Sequence, residues 1–309
     1  MKNKIITSCH IFIDIDALAC IFAYKELLDL KNEKVEMITT AKFNASITAK
    51  YRKINFKNKL PYAENMEFIV MDISEPDYFE EFVDLNSVSH IFDHHSGFET
   101  YWNTKIGKNA VIEHVGAAAT LIYREYKKEN LLNKISPLSA ELLAVAILSN
   151  TLNFQSKITK QEDEMAYEEL KKFFNYTPDF EKDYFLEVQK NIEKNVIDSL
   201  KNDSKQVNSE LFIAQLEVWD SEHIIHNFSK EIQTFLQSPN SKFSFLNLIE
   251  LSKKNNILIF NDRTTLEYIK KHFPEFNYNL KNNTATTSNV ILRKEIIKKI
   301  DNINHSLTT

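Results

Sequence analysis

The sequence predicts an α/β protein whose first half forms a mostly parallel sheet. In that half, short apolar runs of the kind that form buried strands alternate with longer segments whose apolar residues recur at helical spacing. This alternation is typical of βαβ units. A chain of 309 residues also has the length of two domains rather than one. We therefore expect a second, smaller domain of mixed α/β type.

The elements of the first half follow one another as strand and helix. The predicted strands are Lys4–Thr7, which could extend to Ile13, then Val35–Thr39, Phe68–Met71, and His90–Phe92 together with Val88. The predicted helices are Ala17–Leu30, Gly116–Tyr126 and Ser139–Leu148. In a parallel sheet of this kind, ligand-binding groups gather beyond the carboxyl ends of the strands.

The second half follows a charged, helical stretch over residues 160–200, which could connect two domains. We place the boundary near residue 190, so that the domains are residues 1–190 and 191–309. The strands predicted for the second domain are Glu210–Val218, Phe243–Leu251, Ile257–Phe260 and Val290–Leu292. Two segments rich in Asn, Ser and Thr are predicted to be loops, Asn202–Ser209 and Lys281–Asn289.

The composition excludes several classes of protein. With 43 acidic and 38 basic residues the formal charge is −5, so the chain has no global basic field, and long nucleic acids are not expected partners. The two cysteines cannot build a disulfide framework. The longest strongly apolar run, Leu142–Leu148, is too short to span a bilayer. Because His10, Asp14 and Asp16 interrupt the apolar N-terminal stretch, it does not read as a signal peptide. We expect a soluble, cytoplasmic protein with no membrane partner.

Acids and histidines stand directly after three of the predicted strands. They are His10, Asp14 and Asp16 after the first strand, Asp72 after the third, and Asp93, His94 and His95 after the fourth. A single Asp after a strand is usually a turn or helix-cap residue. Three such segments after three parallel strands instead predict that the side chains converge at one edge of the sheet.

Several carboxylates in one small volume need compensation, because like charges raise one another's pKa. Divalent cations provide it, and a mixed set of carboxylate and imidazole ligands suits Mn²⁺, Mg²⁺, Fe²⁺ or Co²⁺. Paired ions about 3.5–4 Å apart are the usual machinery of phosphoryl hydrolysis, in which they activate a water and neutralise the leaving oxygen. The pattern therefore predicts a metal-dependent phosphohydrolase.

The order and spacing of these segments resemble the DHH phosphoesterase family. The motifs that match are His10-x₃-Asp14-x-Asp16, Asp72, Asp93-His94-His95, HVGAAATLIY at 114–123 and LLAVAILSNTLNF at 142–154. The resemblance covers about residues 4–170 and implies a Rossmann-like, parallel-sheet domain.

The second half resembles, more weakly, the DHHA2-like C-terminal domain of family II inorganic pyrophosphatases and prune-type exopolyphosphatases. The segments that match are Asp203-Ser204-Lys205, FIAQLEVWD at 212–220 and Arg293-Lys294. The resemblance implies an active site in the cleft between the domains and a small phosphorylated substrate such as pyrophosphate or short polyphosphate. It also implies a homodimer.

The resemblance implies a role for each candidate residue, with two ions of Mn²⁺, or of Mg²⁺ or Co²⁺, as the cofactor. The implied metal ligands are His10 and Asp14 for one ion, Asp16 and His94 for the other, Asp72 as the bridge, and Asn150. The implied catalytic and substrate-binding residues are His95, which faces the phosphate or protonates the leaving group, Asp93, which orients His94, and the phosphate-neutralising Lys205, Arg293 and Lys294.

Four departures from the family pattern bear on activity. One is Phe12-Ile13 in the first motif, where pyrophosphatases have Asn-Pro. Asn150 stands where the family has an Asp, and Ile73-Ser74-Glu75 follows Asp72 where pyrophosphatases have His-Asn-Glu. No Ser precedes Arg293. The neutral amide of Asn150 removes one negative charge from the site. It therefore predicts weaker binding of one ion, an altered metal preference or lost activity.

Two other functions stay open. The same metal site would serve a phosphodiesterase that acts on short oligonucleotides or cyclic dinucleotides. Asn150 and the reduced C-terminal motif would also suit a catalytically impaired relative with a binding role.

Overall fold

The structure, a computed structural model, describes residues 3–60 and 65–306. The chain divides into two compact units, one ending at Tyr184 and the other beginning at Phe185. Among the described residues, no helix combines the length and the apolar character that crossing a bilayer requires.

The first unit contains short strands and longer helices in alternation. Its strands are β1 (Asn3–Thr7), β2 (Phe12–Ile13), β3 (Val35–Met37), β4 (Lys42–Phe43), β5 (Met66–Met71), β6 (Val88–Asp93) and β7 (Ala110–Ile112). Its helices are α1 (Ile15–Leu30), α2 (Glu99–Ile106), α3 (Ala118–Lys128), α4 (Pro137–Asn150) and α5 (Gln161–Leu170). A further helix, α6 (Phe180–Lys194), runs across the boundary between the units.

Five strands of the first unit form one sheet in the order β3-β1-β5-β6-β7. Every neighbouring pair is parallel, which confirms the predicted fold class of this half. The two remaining strands, β2 and β4, form a separate parallel pair. Because β1, β5 and β6 are neighbours, their carboxyl ends lie side by side.

The core of the first unit lies between the sheet and its most apolar helices. Helix α1 packs against α3 and α4, and both α1 and α4 are buried around most of their circumference. Such helices are apolar all round because they have no solvent-facing side. Helix α3 begins at Ala118 rather than at the predicted Gly116, since Ala117 is still extended.

The second unit contains the remaining elements. Its strands are β8 (Ser204–Gln206), β9 (Leu211–Val218), β10 (Phe243–Glu250), β11 (Asn255–Phe260), β12 (Asn277–Asn279) and β13 (Thr284–Thr287). Its helices are α7 (Val196–Asn202), α8 (Ser221–Gln237), α9 (Arg263–His272) and α10 (Arg293–Ser306). These strands form one sheet in the order β12-β13-β11-β10-β9-β8. The pair β9 and β10 is parallel, and every other neighbouring pair is antiparallel. The predicted mixed α/β character is confirmed.

Three sequence predictions for the second unit were wrong. Val290–Leu292 is not a strand, because side chains rather than a neighbouring strand bind its backbone. The N–H group of Ile291 donates to Asn256 Oδ1 at 3.0 Å, and its carbonyl accepts from Asn247 and Asn256. The two predicted loops contain β8, which pairs with β9, and β13, which pairs with β11. The side chains of these two strands are mostly polar, so the sequence pattern does not indicate a strand.

Candidate metal centre

The carboxyl ends of three neighbouring strands deliver the candidate ligands to one place. Asp16 follows β1 by way of β2, Asp72 follows β5, and His94 follows β6. The Nε2 atom of His94 lies 3.5 Å from Asp72 Oδ1 and 3.9 Å from Asp16 Oδ2. The structure thus brings together three residues that are far apart in the chain, as the motif positions predict.

Asp72 is held in a strained and buried position. Its φ of +58° lies in the left-handed region. A non-glycine residue adopts this conformation at a cost of about 1–3 kcal/mol. Its backbone N–H group donates to Phe92 O at 2.7 Å. Within the described part of the chain, its buried Oδ1 atom has no hydrogen-bond partner. Burial, with the charges of Asp16 and Asp14, raises the pKa of Asp72 well above its usual range.

His94 presents a free nitrogen lone pair to these carboxylates. Its Nδ1–H group donates to the carbonyl of Val115 at 3.2 Å, which leaves Nε2 unprotonated and facing Asp72. Burial, with the charge of His95, lowers the pKa of His94 to about 4, so the ring is neutral near pH 7. A backbone carbonyl that fixes the tautomer in this way is a common support of metal-binding histidines.

These features fit a divalent cation. Asp72, His94 and His95 each offer a ligand atom, and these atoms all lie within 4.8 Å of one another. An unpartnered carboxylate oxygen facing an imidazole lone pair is repulsive unless a cation or a proton lies between them. The carboxylate and imidazole donors suit Mn²⁺ and similar ions.

His95 is oriented by Asp93 and faces solvent. Its Nδ1 atom lies 2.7 Å from Asp93 Oδ1, and its backbone N–H group donates to the same oxygen at 3.1 Å. The His95 side chain is 59% exposed, whereas Asp93 is fully buried. Although burial acts to lower the pKa of His95, the hydrogen bond and charge of Asp93 raise it. Asp93 therefore bonds to His95, and not to His94 as the resemblance implies, within the contacts of the described residues.

Asp14 and Asp16 lie at the start of α1. Asp14 caps the helix, because its Oδ1 atom accepts from the backbone N–H groups of Asp16 at 3.0 Å and Ala17 at 2.9 Å. Asp16 is fully buried and accepts from the N–H groups of Ala118 and Ala119, both at 2.8 Å, at the N-terminus of α3. Burial raises the pKa of Asp16 to about 6, although these N–H groups act to lower it.

His10, like His94, contacts a backbone carbonyl through its Nδ1 atom. This atom lies at a hydrogen-bond distance of 3.0 Å from the carbonyl oxygen of Phe79, and the His10 ring stacks on Tyr78. His10 is not a member of the compact three-residue group that includes His94. Its predicted role as a ligand stays a prediction.

A buried carboxylate outside the predicted ligand set supports the N-terminus of α3. Asp163 is fully buried and accepts from Gly116 N at 2.8 Å, Thr120 Oγ1 at 2.6 Å and Lys160 N at 2.7 Å. A Cβ atom on Gly116 would lie 2.5 Å from Asp163 Oδ2, so only glycine fits there. The sequence signal for this close packing is Gly116 itself, because the whole chain contains 3 glycines.

Asn150 is the last residue of α4 and contacts the site directly. Its Nδ2–H group donates to Asp16 Oδ2 at 2.5 Å. The amide therefore faces the carboxylate with its nitrogen, since its oxygen would be repelled.

The three predicted phosphate-binding residues lie in the second unit. Lys205 on β8 and Lys294 in the first turn of α10 are exposed. The Arg293 guanidinium donates to the carbonyl of Asp203 at 2.7 Å and pairs with its Oδ1 atom at 2.6 Å. Arg293 therefore binds the segment that carries Lys205.

A ladder of carboxamides orders the chain before α10. The N–H group of Arg293 donates to Gln215 Oε1 at 2.6 Å, and Asn247 Nδ2 donates to the same oxygen at 3.1 Å. Asn256 Nδ2 donates to Asn247 Oδ1 at 2.6 Å and to Ile291 O at 2.6 Å. Gln215, Asn247 and Asn256 lie on β9, β10 and β11, so the sheet itself positions Arg293.

Comparisons with known proteins agree with the motif resemblance. No family model matches the chain. A protein from Staphylococcus saprophyticus named a probable manganese-dependent inorganic pyrophosphatase is 29% identical over 239 residues, which cover 72% of this chain and 71% of that protein. A protein of the same name from Staphylococcus carnosus is 25% identical and covers 87% of this chain and 92% of its own length.

Two solved structures share the fold. One, from Methanococcus jannaschii and assigned to the family II inorganic pyrophosphatases, aligns with a TM-score of 0.59 at 19% identity and covers 97% of this chain and all of that one. The other, an exopolyphosphatase-related protein from Bacteroides fragilis, aligns with a TM-score of 0.55 at 14% identity and covers 100% of this chain and 94% of that one. The resemblance to DHH phosphoesterases that the motifs predict is confirmed.

Proposed function

We propose that this chain is a divalent-metal-dependent phosphohydrolase that cleaves a phosphoanhydride, either pyrophosphate or short polyphosphate. The observation that carries the proposal is the buried pair of Asp72 and neutral His94, whose facing oxygen and nitrogen atoms lie 3.5 Å apart. The names of the relatives, manganese-dependent inorganic pyrophosphatase and exopolyphosphatase-related protein, support the reaction class and favour Mn²⁺.

The chain's own side chains divide the work between holding the ion and moving a proton. Asp72 and His94 hold the ion, and the Val115 carbonyl keeps the His94 lone pair directed at it. When bound, such an ion lowers the pKa of a coordinated water and neutralises charge on the phosphate.

In this proposal His95 donates a proton to the leaving group. The hydrogen bond and charge of Asp93 outweigh burial and raise the pKa of His95, so more of its ring is protonated near neutral pH than in an isolated histidine. The exposed ring can therefore donate a proton to the departing phosphate oxygen. Lys205, Arg293 and Lys294 bind the anionic substrate in this proposal, because ammonium and guanidinium groups recognise phosphate oxygens.

Phosphate release from the purified full-length chain tests the proposal. After treatment with a chelator, the protein should release phosphate from pyrophosphate or tripolyphosphate only when Mn²⁺ or a similar ion is added. His94→Ala should reduce kcat by at least about 100-fold, because it removes the neutral nitrogen ligand that holds the ion together with Asp72.

The matched control is His226→Ala, which removes an exposed histidine of α8 and should leave the rate unchanged. Release that continues in chelator, or an unchanged rate in His94→Ala, would contradict the proposal. A dinucleotide and a cyclic dinucleotide belong in the same assay. Hydrolysis of these alone would favour the phosphodiesterase alternative, and hydrolysis of nothing by metal-loaded protein would favour the impaired relative.

A further inference from the structure

We propose that the Asn150 amide takes the place of a cation at Asp16, so that the chain binds one divalent ion tightly, at Asp72 and His94, rather than two. This inference rests on the proposed function to the extent that the site must bind a divalent ion at all. It concerns the number and the position of the ions, which the reaction class leaves open.

The carboxylate of Asp16 already has a full set of donors. An ionised carboxylate offers about four lone-pair positions on its two oxygens. On Asp16, Oδ1 accepts from Ala119 N at 2.8 Å and from Cys20 Sγ at 3.5 Å. Oδ2 accepts from Ala118 N at 2.8 Å and from Asn150 Nδ2 at 2.5 Å. An ion could bind Asp16 only by displacing one of these four donors.

Asn150 is the donor that stands where a cation would. Ala118 and Ala119 donate from the backbone of α3, so neither can withdraw without disrupting that helix, and Cys20 is a weak thiol donor that binds Oδ1 rather than Oδ2. The Asn150 side chain donates from the end of α4 to Oδ2, the oxygen that lies 3.9 Å from His94 Nε2. It therefore occupies the face of Asp16 that is turned toward the metal site.

Asp72 shows the opposite state. Among the contacts of the described residues, its buried Oδ1 atom accepts no hydrogen bond. The atom it faces is the unprotonated nitrogen of His94, which has no proton to donate. One carboxylate of the site is saturated by the chain, and another is open toward a histidine lone pair. This asymmetry predicts one tight ion at the open carboxylate.

Replacing Asn150 with Asp should allow a second ion to bind at Asp16. A carboxylate in place of the amide would bring two anionic side chains to hydrogen-bond distance in a buried site, and a cation is the group that relieves such a pair. Asn150→Asp should therefore bind a second ion that the natural chain does not retain.

Counting bound manganese tests this directly and needs no turnover. The full-length protein is loaded with Mn²⁺ and passed through a desalting column, and its metal content is measured by mass spectrometry and by electron paramagnetic resonance. The natural chain should retain one ion with the spectrum of isolated Mn²⁺. Asn150→Asp should retain two ions with the broadened spectrum of a coupled pair. Asn153→Asp is the matched control, because it adds the same charge in the turn after α4. Asn153 is not one of the Asp16 donors, so this variant should retain one ion.

Each outcome decides the matter. Two ions retained by the natural chain, or one ion retained by Asn150→Asp, would overturn the inference. If Asn150→Asp does not fold, as judged by circular dichroism, Asn150→Ala removes the same donor without adding a charge. This variant should bind a second ion at least about tenfold more tightly than the natural chain does, and an unchanged second affinity would overturn the inference. Phosphate release distinguishes this failure from failure of the proposed function, because an active protein with two ions contradicts only the ion count.

Discussion

At the scale of the residue, burial and the charges of Asp16 and Asp14 disfavour the ionised form of Asp72. Its pKa is raised, so the folded chain binds this proton more tightly than the unfolded chain does. By linkage, the contribution of Asp72 to stability falls as the pH rises from the ordinary Asp value toward the raised value, and the penalty is complete above it. In the metal-free protein the destabilising effect of Asp72 therefore grows as the pH rises.

Replacing Asp72 with Asn should remove this penalty. Asn keeps the shape of the side chain and tolerates a φ of +58°. In chelator, Asp72→Asn should raise the melting temperature by about 2–4 °C for each kcal/mol of relieved charge, and the difference should grow as the pH rises. At pH 4 the difference should shrink, because the natural carboxyl then holds its proton.

Manganese should reverse the order of the two proteins. A ligand at 100 times its Kd stabilises the folded state by about 2.7 kcal/mol, so Mn²⁺ should raise the melting temperature of the natural chain and leave that of Asp72→Asn unchanged. Asp301→Asn, which alters an exposed acid on α10, should behave like the natural chain. A melting temperature for Asp72→Asn that is lower in chelator, or that still rises with Mn²⁺, would show that Asp72 is not the open ligand.

At the scale of the element, the N-terminus of α3 is the part that depends most on one small residue. The loop before α3 is fastened by Asp163, which binds Gly116 N, and α3 in turn donates two N–H groups to Asp16. An added Cβ on Gly116 would meet both Asp163 Oδ2 at 2.5 Å and Thr151 Cγ2 at 2.6 Å. The buried carboxylate and the turn after α4 would both have to move.

Gly116→Ala should therefore affect stability and metal binding together. We expect a loss of about 1–3 kcal/mol in the free energy of unfolding, as for other overpacked sites, and a weaker rise in melting temperature with Mn²⁺. Gly107→Ala is the comparison, because its added Cβ would meet nothing within 4 Å and only its φ of +58° is strained. It should lose stability but keep the full response to Mn²⁺. An equal response in both variants would refute the role of α3.

The same elements show what could and could not be predicted from sequence. The strand before Asp72 contains the continuous apolar run Phe68–Met71, and such a run can be found from the local sequence. The predicted strand at Val290–Leu292 was wrong because carboxamides of Asn247 and Asn256 bind its backbone, and side-chain binding leaves no periodic pattern. The contact of Asn150 with Asp16 joins residues 134 positions apart, so the motif positions indicated a shared site but not which atom faces which.

At the scale of the whole molecule, the proposed chemistry assigns different tasks to the two units. The proposed metal ligands belong to the first unit, whereas the predicted phosphate-binding residues Lys205, Arg293 and Lys294 belong to the second. With a formal charge of −5, the chain as a whole repels an anionic substrate, so capture depends on local cations. Metal and substrate should therefore protect different parts of the chain.

Hydrogen–deuterium exchange of the full chain separates these two effects. Mn²⁺ alone should slow exchange at residues 72–75 and 93–97, because binding stabilises the segments that carry Asp72 and His94. Mn²⁺ with imidodiphosphate, a pyrophosphate analogue that resists hydrolysis, should also slow exchange at residues 203–206 and 290–296. Lys205→Ala should abolish only the second effect, whereas Lys298→Ala, an exposed lysine on α10, should preserve both. If the analogue changes exchange in the first unit alone, the second unit does not bind the phosphates, and the predicted roles of its three cations are wrong.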